Sequence, residues 1–432
     1  MSRAWRNWGR TESVTPVQRR RPRSTEDVVA AVNAASDLGL RVKAVGTGHS
    51  FTGIAVAPGI QLDMSGLTGV RGVNGTQVTL GAGTVLHDLP PLLDPLGLAL
   101  QNMGDIDTQT ISGATSTGTH GTGAAFGGLA TRISGATLVT GDGTVLSVNA
   151  GSNAELLPAV ALGLGALGIL VDVTVNCVPS FTLSAVERPE PLDEVLAGWE
   201  QRIDESDHFE FYWFPHTDAA LTKTNTRMPV GASTHPLTPM KRWFDDSLMS
   251  NTLFAATTAF QHRMPSTTPA INRLSTRLTG NRDFSDRSYR VFATERNVRF
   301  REMEYALPVA DVPEVLREIE KLIERRGWTI SFPIEVRASA ADNLWLSSAH
   351  GRATGYIAVH RYYREDPTEY FAAIEDIMKA YGGRPHWGKL NSRTAADLAP
   401  AYPKFADFVK ARNRLDPQRV FTNAYLDRVL GQ

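Results

Sequence analysis

One cysteine, Cys177, is all the thiol chemistry in this chain of 432 residues. An intrachain disulfide is impossible, zinc sites of the Cys/His kind are ruled out, and no metal is expected. Net charge is equally scarce: 44 Lys and Arg against 45 Asp and Glu leave −1, which gives no reason to expect nucleic acid or an anionic membrane as partner. Long apolar runs are missing too. The most apolar window, residues 156–171, is too short to span a bilayer and is broken by Pro158 and by glycines 163, 165 and 168. The opening stretch M-S-R-A-W-R-N-W-G-R lacks the apolar centre of a secretory signal. These absences point to a soluble, cytoplasmic protein with no integral membrane segment, long enough for two or three domains.

Glycine, by contrast, is plentiful and concentrated. After an apolar stretch at Leu40 to Val45 that reads as a buried strand comes V-G-T-G-H-S-F, which sets His49 among Gly46, Thr47, Gly48, Ser50 and Phe51. Such a turn lets backbone approach a flat ring or a pyrophosphate, and its successive N–H groups form an anion-binding nest. A second run, from Asn102, reads N-M-G-D-I-D-T-Q-T-I-S-G-A-T-S-T-G-T-H-G-T-G. Its small residues and hydroxyls suit a phosphate diester, while Ile106 and Ile111 anchor it to buried structure. G-L-G-A-L-G, with Gly163, Gly165 and Gly168, matches the dinucleotide fingerprint only superficially. That motif needs a strand before it and a helix after it, whereas here Ser152 to Leu162 reads as helix and Ile169 to Val175 as strand, against an NAD site.

The first 180 or so residues read as an α+β domain with many short strands, including Gly59 to Met64, Gln77 to Leu80, Ala136 to Val139 and Thr144 to Val148. Asp142-Gly143 marks a hairpin, and Thr25 to Asp37 has helical spacing with Ser24 or Thr25 as cap. After Pro179 aromatic and charged residues increase. Strands are expected at Arg301 to Val309, Thr329 to Ala338 and Gly355 to Tyr362, with helices at Val312 to Arg326 and Pro367 to Tyr381.

In F-P-I-E-V-R-A, Glu335 and Arg337 are two apart on a strand and share a face. A carboxylate beside a guanidinium can orient a polyol hydroxyl and take its proton, although a solvated strand gives the same pattern. Tyr356, Ala358, His360 and Tyr362 share a side, and P-H-W-G-K-L gathers His386, Trp387 and Lys389 around a glycine. An ammonium next to a reduced ring such as a flavin, which the His49 loop is expected to hold, would stabilise its negative charge, although a surface lysine beside a packed tryptophan gives the same spacing.

In this order, W-R-N-W, G-T-G-H-S-F, A-T-S-T-G-T-H-G-T-G, G-A-L-G-I, E-V-R and H-W-G-K resemble the sugar-lactone branch of the vanillyl-alcohol-oxidase superfamily over nearly the whole chain. That family comprises gulono- and arabinono-1,4-lactone oxidases and dehydrogenases, with alditol oxidase as a near relative. The resemblance implies an α+β fold: a PCMH-type FAD-binding domain (1–180), a sheet-and-helix cap (181–383) and a C-terminal segment (384–432) returning to the FAD domain. FAD contacts carried over are Gly46, Thr47, Gly48, His49, Ser50 and Phe51, then Thr110, Gly113, Thr117, Gly118, Thr119 and His120, with Ile169 near the adenine. His49 is the implied point of covalent flavin attachment. Glu335, Arg337 and Lys389 are the implied catalytic residues, with Asp105 and His360 beside the substrate, positions where alditol oxidase has hydroxyls. Gly104 stands where the family's oxidases tend to have glycine, which gives oxygen access to the ring. The implied reaction is oxidation of a sugar-1,4-lactone to the ascorbate-type product, with O2 or a redox protein or dye as acceptor. An alditol or oligosaccharide oxidase, a flavin-free sugar-binding protein and an NAD-dependent dehydrogenase are the competing readings.

Overall fold

The computed structural model describes residues 4–242, 251–294 and 296–432. Near the N-terminus, β1 (Gln18–Arg20), β2 (Val42–Val45) and β3 (Ile60–Asp63) form a parallel sheet in the order β1-β3-β2. Helix α1 (Thr25–Asp37) crosses from β1 to β2, starting at Ser24, whose hydroxyl accepts from the Asp27 N–H. Its buried face, Val28, Ala31, Val32 and Ala35, packs on Val42, Ile60 and Leu62.

The next sheet is antiparallel. It contains β4 (Val70–Asn74), β5 (Gln77–Gly81), β6 (Ile133–Val139), β7 (Val145–Asn149) and β8 (Ile169–Asn176) in the order β7-β6-β8-β5-β4. The Asp142-Gly143 turn joins β6 to β7, with Gly143 at φ +81° and Asp142 accepting from the Thr144 N–H. The helix expected over Ser152 to Leu162 is reduced to a 3-10 turn at Ala154–Leu156 and a short helix at Leu157–Val160. Asn153 at φ +50° and Pro158 limit it at the start, and the glycines that follow end it.

The largest sheet is antiparallel throughout. Its strands are β9 (Thr182–Pro191), β10 (His208–Trp213), β11 (Ala219–Arg227), β12 (Arg282–Arg287), β13 (Phe300–Pro308), β14 (Ile334–Ser339), β15 (Thr354–Tyr362) and β16 (Arg384–Pro385), in the order β12-β9-β11-β10-β14-β15-β13-β16. Strand β14 starts five residues later than the expected Thr329, because Pro333 has no N–H for the ladder. One face of the sheet, with Phe209, Phe211, Ile334, Val336, Ile357, Val359 and Met303, lies in one core with Val315, Leu316 and Ile319 of helix α2 (Val312–Arg326) and Ile374 and Met378 of helix α3 (Thr368–Ala380). The opposite face carries the charges described below.

The last part of the chain rejoins the first. Phe405 and Phe408 of helix α4 (Phe405–Leu415), and Leu426 and Val429 of helix α5 (Ala424–Leu430), share a core with Val78, Leu80, Ile111 and Leu138. Asn423 ties this segment to the stretch after the His49 loop: its amide donates to the carbonyls of Gly53, Ile54 and Val56 at 2.9, 3.2 and 2.9 Å. Among the described residues no helix is long and apolar enough to cross a membrane.

Candidate active site

The glycine loop and the Thr110 segment converge on one cleft. Its lining includes Gly46, Thr47, Gly48, His49, Ser50, Thr110, Gly113 and Thr117, with Ser112 and Ser116 adding hydroxyls. Close approach explains the glycines: a Cβ at Gly46 would lie 2.3 Å from Thr110 Oγ1, and Gly48 sits at φ +76°. The N-terminal W-R-N-W holds the loop in place. The Trp8 N–H donates to the Gly48 carbonyl at 2.8 Å, Asn7 donates to the Ser50 carbonyl at 2.9 Å, and the Trp8 ring stacks on His49 at 6.0 Å. His49 is half-buried, with Nδ1 3.1 Å from Thr47 Oγ1 and Nε2 2.9 Å from Thr108 Oγ1. Burial, reinforced by the Lys389 charge, pushes its pKa down to about 4, so the imidazole is neutral at pH 7.

Other residues of the two motifs lie beside the cleft. Phe51 turns into an aromatic cluster with Trp8 and Phe300. Gly118 caps the helix Ile111–Thr117, and the Ile169 side chain is in the core under α1 while its neighbours Gly168 and Leu170 line the cleft. Thr119 bonds Gln109. His120 faces the large sheet, hydrogen-bonded to Glu304 and stacked on Tyr356 with ring centroids 3.6 Å apart. Gly165 and Gly168, from the run that fails as an NAD fingerprint, do line the cleft, as does Lys43. Sequence reasoning missed all three as site residues, although the glycines themselves were the signal.

A second cavity lies against the charged face of the large sheet. It is lined by Asp105, Tyr212, Arg296, Glu302, Glu304, Glu335, Arg337, His360 and Lys389 and walled by Phe254, Phe300 and Phe332. Strand register assembles it: Tyr212 pairs with Glu335, Glu335 with Ala358, and Ala358 with Glu304, so Glu335 and Glu304 flank the small Ala358 and Tyr212 stands one strand beyond. Glu302 pairs with His360 on the next row of the same face.

Arg337 is surrounded by acids. It forms an ion pair with Glu335, bonds Glu210 at 2.7 Å and lies 3.5 Å from Asp105, which also meets Arg296 at 3.2 Å. Burial raises Glu335 to about 7, with Arg337 opposing and the Asp105 and Glu210 charges adding to the rise. For Asp105 the arginines outweigh burial and hold its pKa well down. Tyr212 donates to Glu335 at 3.2 Å.

Lys389 pairs with Glu302 and lies 3.8 Å from Glu304. Burial works against that ammonium, but the two carboxylates raise its pKa. His360 donates through Nδ1 to the Pro333 carbonyl at 2.9 Å, and its Nε2 is 3.5 Å from Glu302, which outweighs burial and raises the imidazole. Donor atoms of Glu302, Glu335 and His360 lie within 4.8 Å of one another, yet both carboxylates are already neutralised by Lys389 and Arg337. Tyr212, Glu210, Arg296, Glu302 and Glu304 are site residues that sequence reasoning missed. Only Glu302 and Glu304 left a signal, in the alternation of F-R-E-M-E-Y on an expected strand.

Ser50 of the cleft and Lys389 of the second cavity are brought near one another through their chain neighbours Phe51 and Gly388. The Phe51 N–H donates to the Gly388 carbonyl at 2.7 Å, and Lys389, which lines the second cavity, lies 5.5 Å from the centre of the Phe51 ring. Gly104 is buried against His120, where an added Cβ would lie 3.1 Å from the His120 carbonyl oxygen.

Comparison with known proteins gives a consistent result. A family model described as D-arabinono-1,4-lactone oxidase matches residues 173–429, and one described as FAD binding domain matches residues 16–149. The chain is 43% identical over 433 residues to an L-gulono-1,4-lactone dehydrogenase of Mycobacterium tuberculosis, covering 100% of both. It is 34% identical to the L-gulonolactone oxidase of Bos taurus, covering 98% of each. Among solved structures, a cholesterol oxidase of B. sterolicum superposes with a TM-score of 0.82 over 100% of this chain and 97% of the other at 20% identity, which establishes the shared fold.

Proposed function

The chain belongs to the D-arabinono-1,4-lactone oxidase family, and from that premise we propose that it is an FAD-dependent oxidoreductase acting on a sugar-1,4-lactone of the L-gulono, L-galactono or D-arabinono type. The observation that carries this reading is the Glu335–Arg337 pair in a cavity linked to the glycine-lined cleft through the Phe51–Gly388 contact. The cleft residues fit FAD: hydroxyls and backbone N–H groups for the diphosphate, and glycines where a Cβ would obstruct. Gly46, Thr47, Gly48, Ser50, Thr110, Gly113 and Thr117 would hold it. When bound, FAD supplies the acceptor for the hydride that leaves the substrate carbon.

The residues of the second cavity handle the proton. Glu335, as the carboxylate, accepts the proton of the substrate hydroxyl, and a pKa near 7 suits a general base at neutral pH. Arg337, itself held by Glu210, orients that hydroxyl and keeps the carboxylate aimed. Asp105 with Arg296, and His360 with Glu302, offer hydrogen bonds to the remaining lactone oxygens. Lys389 supplies positive charge on the wall facing His49. Phe254, Phe300 and Phe332 keep water away from the reacting groups. Loss of the hydroxyl proton and the hydride leaves a keto-lactone, which enolises to the ascorbate-type ene-diol.

His49, neutral and flanked by two hydroxyls, is the group proposed to bond the flavin covalently. Gly104 is proposed to leave oxygen a path, with a redox protein or dye as the other acceptor. One set of experiments tests these points. The purified protein is expected to be yellow, to keep its colour in an acid-precipitated pellet, and to turn over gulono- and arabinono-lactones faster than xylitol or sorbitol. Turnover confined to alditols would refute the lactone assignment, and a colourless pellet would refute the bond through His49.

A further inference from the structure

Lys43, on β2, is 2% exposed and yet lines the glycine-rich cleft. Its Nζ donates to the carbonyl oxygens of Gly165 and Phe421, at 3.0 Å in both cases. These bonds use two of the three donors of an ammonium and neutralise none of its charge. Among the described residues no carboxylate lies within ion-pairing distance. Asp416 is the acid that acts on it, and the Asp416 oxygens already accept from the N–H groups of Val420 and Phe421 at 2.7 and 2.9 Å. Among the described residues no carboxylate lines the cleft either, and Lys43 and His49 are the titratable side chains in its lining. A buried cation without an anion is strongly unfavourable. The cleft thus offers one buried amine without a paired carboxylate to a ligand that carries negative charge in its middle, and a phosphate beside it would favour the ammonium form.

We propose that Lys43 is a cofactor-anchoring residue whose ammonium neutralises the diphosphate of the dinucleotide while fixing the Gly165 turn and the Phe421 segment on either side of it. The proposal rests on the flavin reading above. It requires that recognition of phosphate, and not of the ring, depend on this side chain.

The test uses the full chain carrying His49→Ala, so that flavin exchanges freely, and follows binding of FAD and of riboflavin, which has the same ring without phosphate, by fluorescence quenching. Lys43→Met is expected to weaken FAD by about tenfold or more and Lys43→Arg by no more than about threefold, with riboflavin unchanged in both. FAD affinity in Lys43→Met within about twofold of the parent would overturn the proposal, as would an equal loss for riboflavin, which would make Lys43 merely structural. Should Lys43→Met fail to fold, the parent decides by pH. Burial pushes Lys43 down to about 7, with Asp416 opposing, and His49 is absent from the tested chain. The charged form binds phosphate, so FAD affinity is expected to fall by about tenfold from about pH 6 to about pH 9 while riboflavin stays flat. A flat FAD curve would overturn the proposal. A parent chain that binds neither flavin would overturn the flavin reading and this inference with it.

Discussion

The two cavities are built from opposite materials. The cleft is made of backbone, glycine and hydroxyl groups from a few continuous segments, and among the described residues Lys43 is the buried amine in its lining. The cavity on the large sheet is made of side-chain charge: four acids, two arginines and a lysine are brought together from widely spaced parts of the chain. Backbone suits the first because a dinucleotide offers many hydrogen-bonding atoms along its length. Opposed charges suit the second because they hold one another rigid and set the protonation of a single base, Glu335, which lies among two other acids and one guanidinium.

Substitutions should therefore separate binding from chemistry. Glu335→Gln is expected to lower kcat by about a thousandfold, the range of a lost general base, while flavin content measured by absorbance stays at the wild-type level. Loss of flavin in that variant would show that the two cavities are not independent. Gly46→Val is the converse: its side chain would collide with Thr110, which caps the following helix, so the protein should fold but retain FAD at least about tenfold less well, as read by absorbance after gel filtration.

The pH profile sharpens the contrast on the charged side. Because Glu335 must be ionised to act and its pKa is near 7, kcat/KM is expected to rise about tenfold per pH unit below that value and level off above it. A flat profile between pH 5 and 8, measured under substrate-limiting conditions, would remove Glu335 as the base. The same raised pKa has a stability consequence. The folded protein holds this proton more tightly than the unfolded chain, so the contribution is present at low pH and lost as pH rises through about 7. Glu335→Gln should accordingly raise Tm by about 1–3 °C at pH 8 and by less at pH 5. The smallest effect is expected at Gly104→Ala, where the added methyl must displace the His120 carbonyl by a few tenths of an ångström. Turnover with O2 should fall a few-fold while turnover with a dye is kept; equal loss with both acceptors would tie Gly104 to packing alone.

The same difference in materials explains what could be read beforehand. Residues 46–50 and 110–117 are consecutive in sequence, so their chemistry stands out as motifs. Glu335 and Arg337 were visible because two positions on one strand must share a face. Arg296, Glu210 and Tyr212 left no such mark: what brings them to Arg337 and Asp105 is the pairing of β10 with β14 and a loop contact, both long-range. Glu302 and Glu304 were readable as a pair but lacked a partner until β13 was set beside β15. His120 stood in a motif that suggested phosphate, yet its ring turns to Glu304 because the chain has left the cleft by that point. The shortened helix after Asn153 shows how a proline and a left-handed residue override an apolar pattern that reads as helix.

The three-way grip of Asn423 on Gly53, Ile54 and Val56 makes the order of synthesis matter. The segment that begins at His49 leaves the ribosome long before the residue that fastens it. Capture of the flavin is therefore expected to wait until residue 423 has emerged, and ribosome-stalled chains displaying everything up to residue 415 should stay colourless.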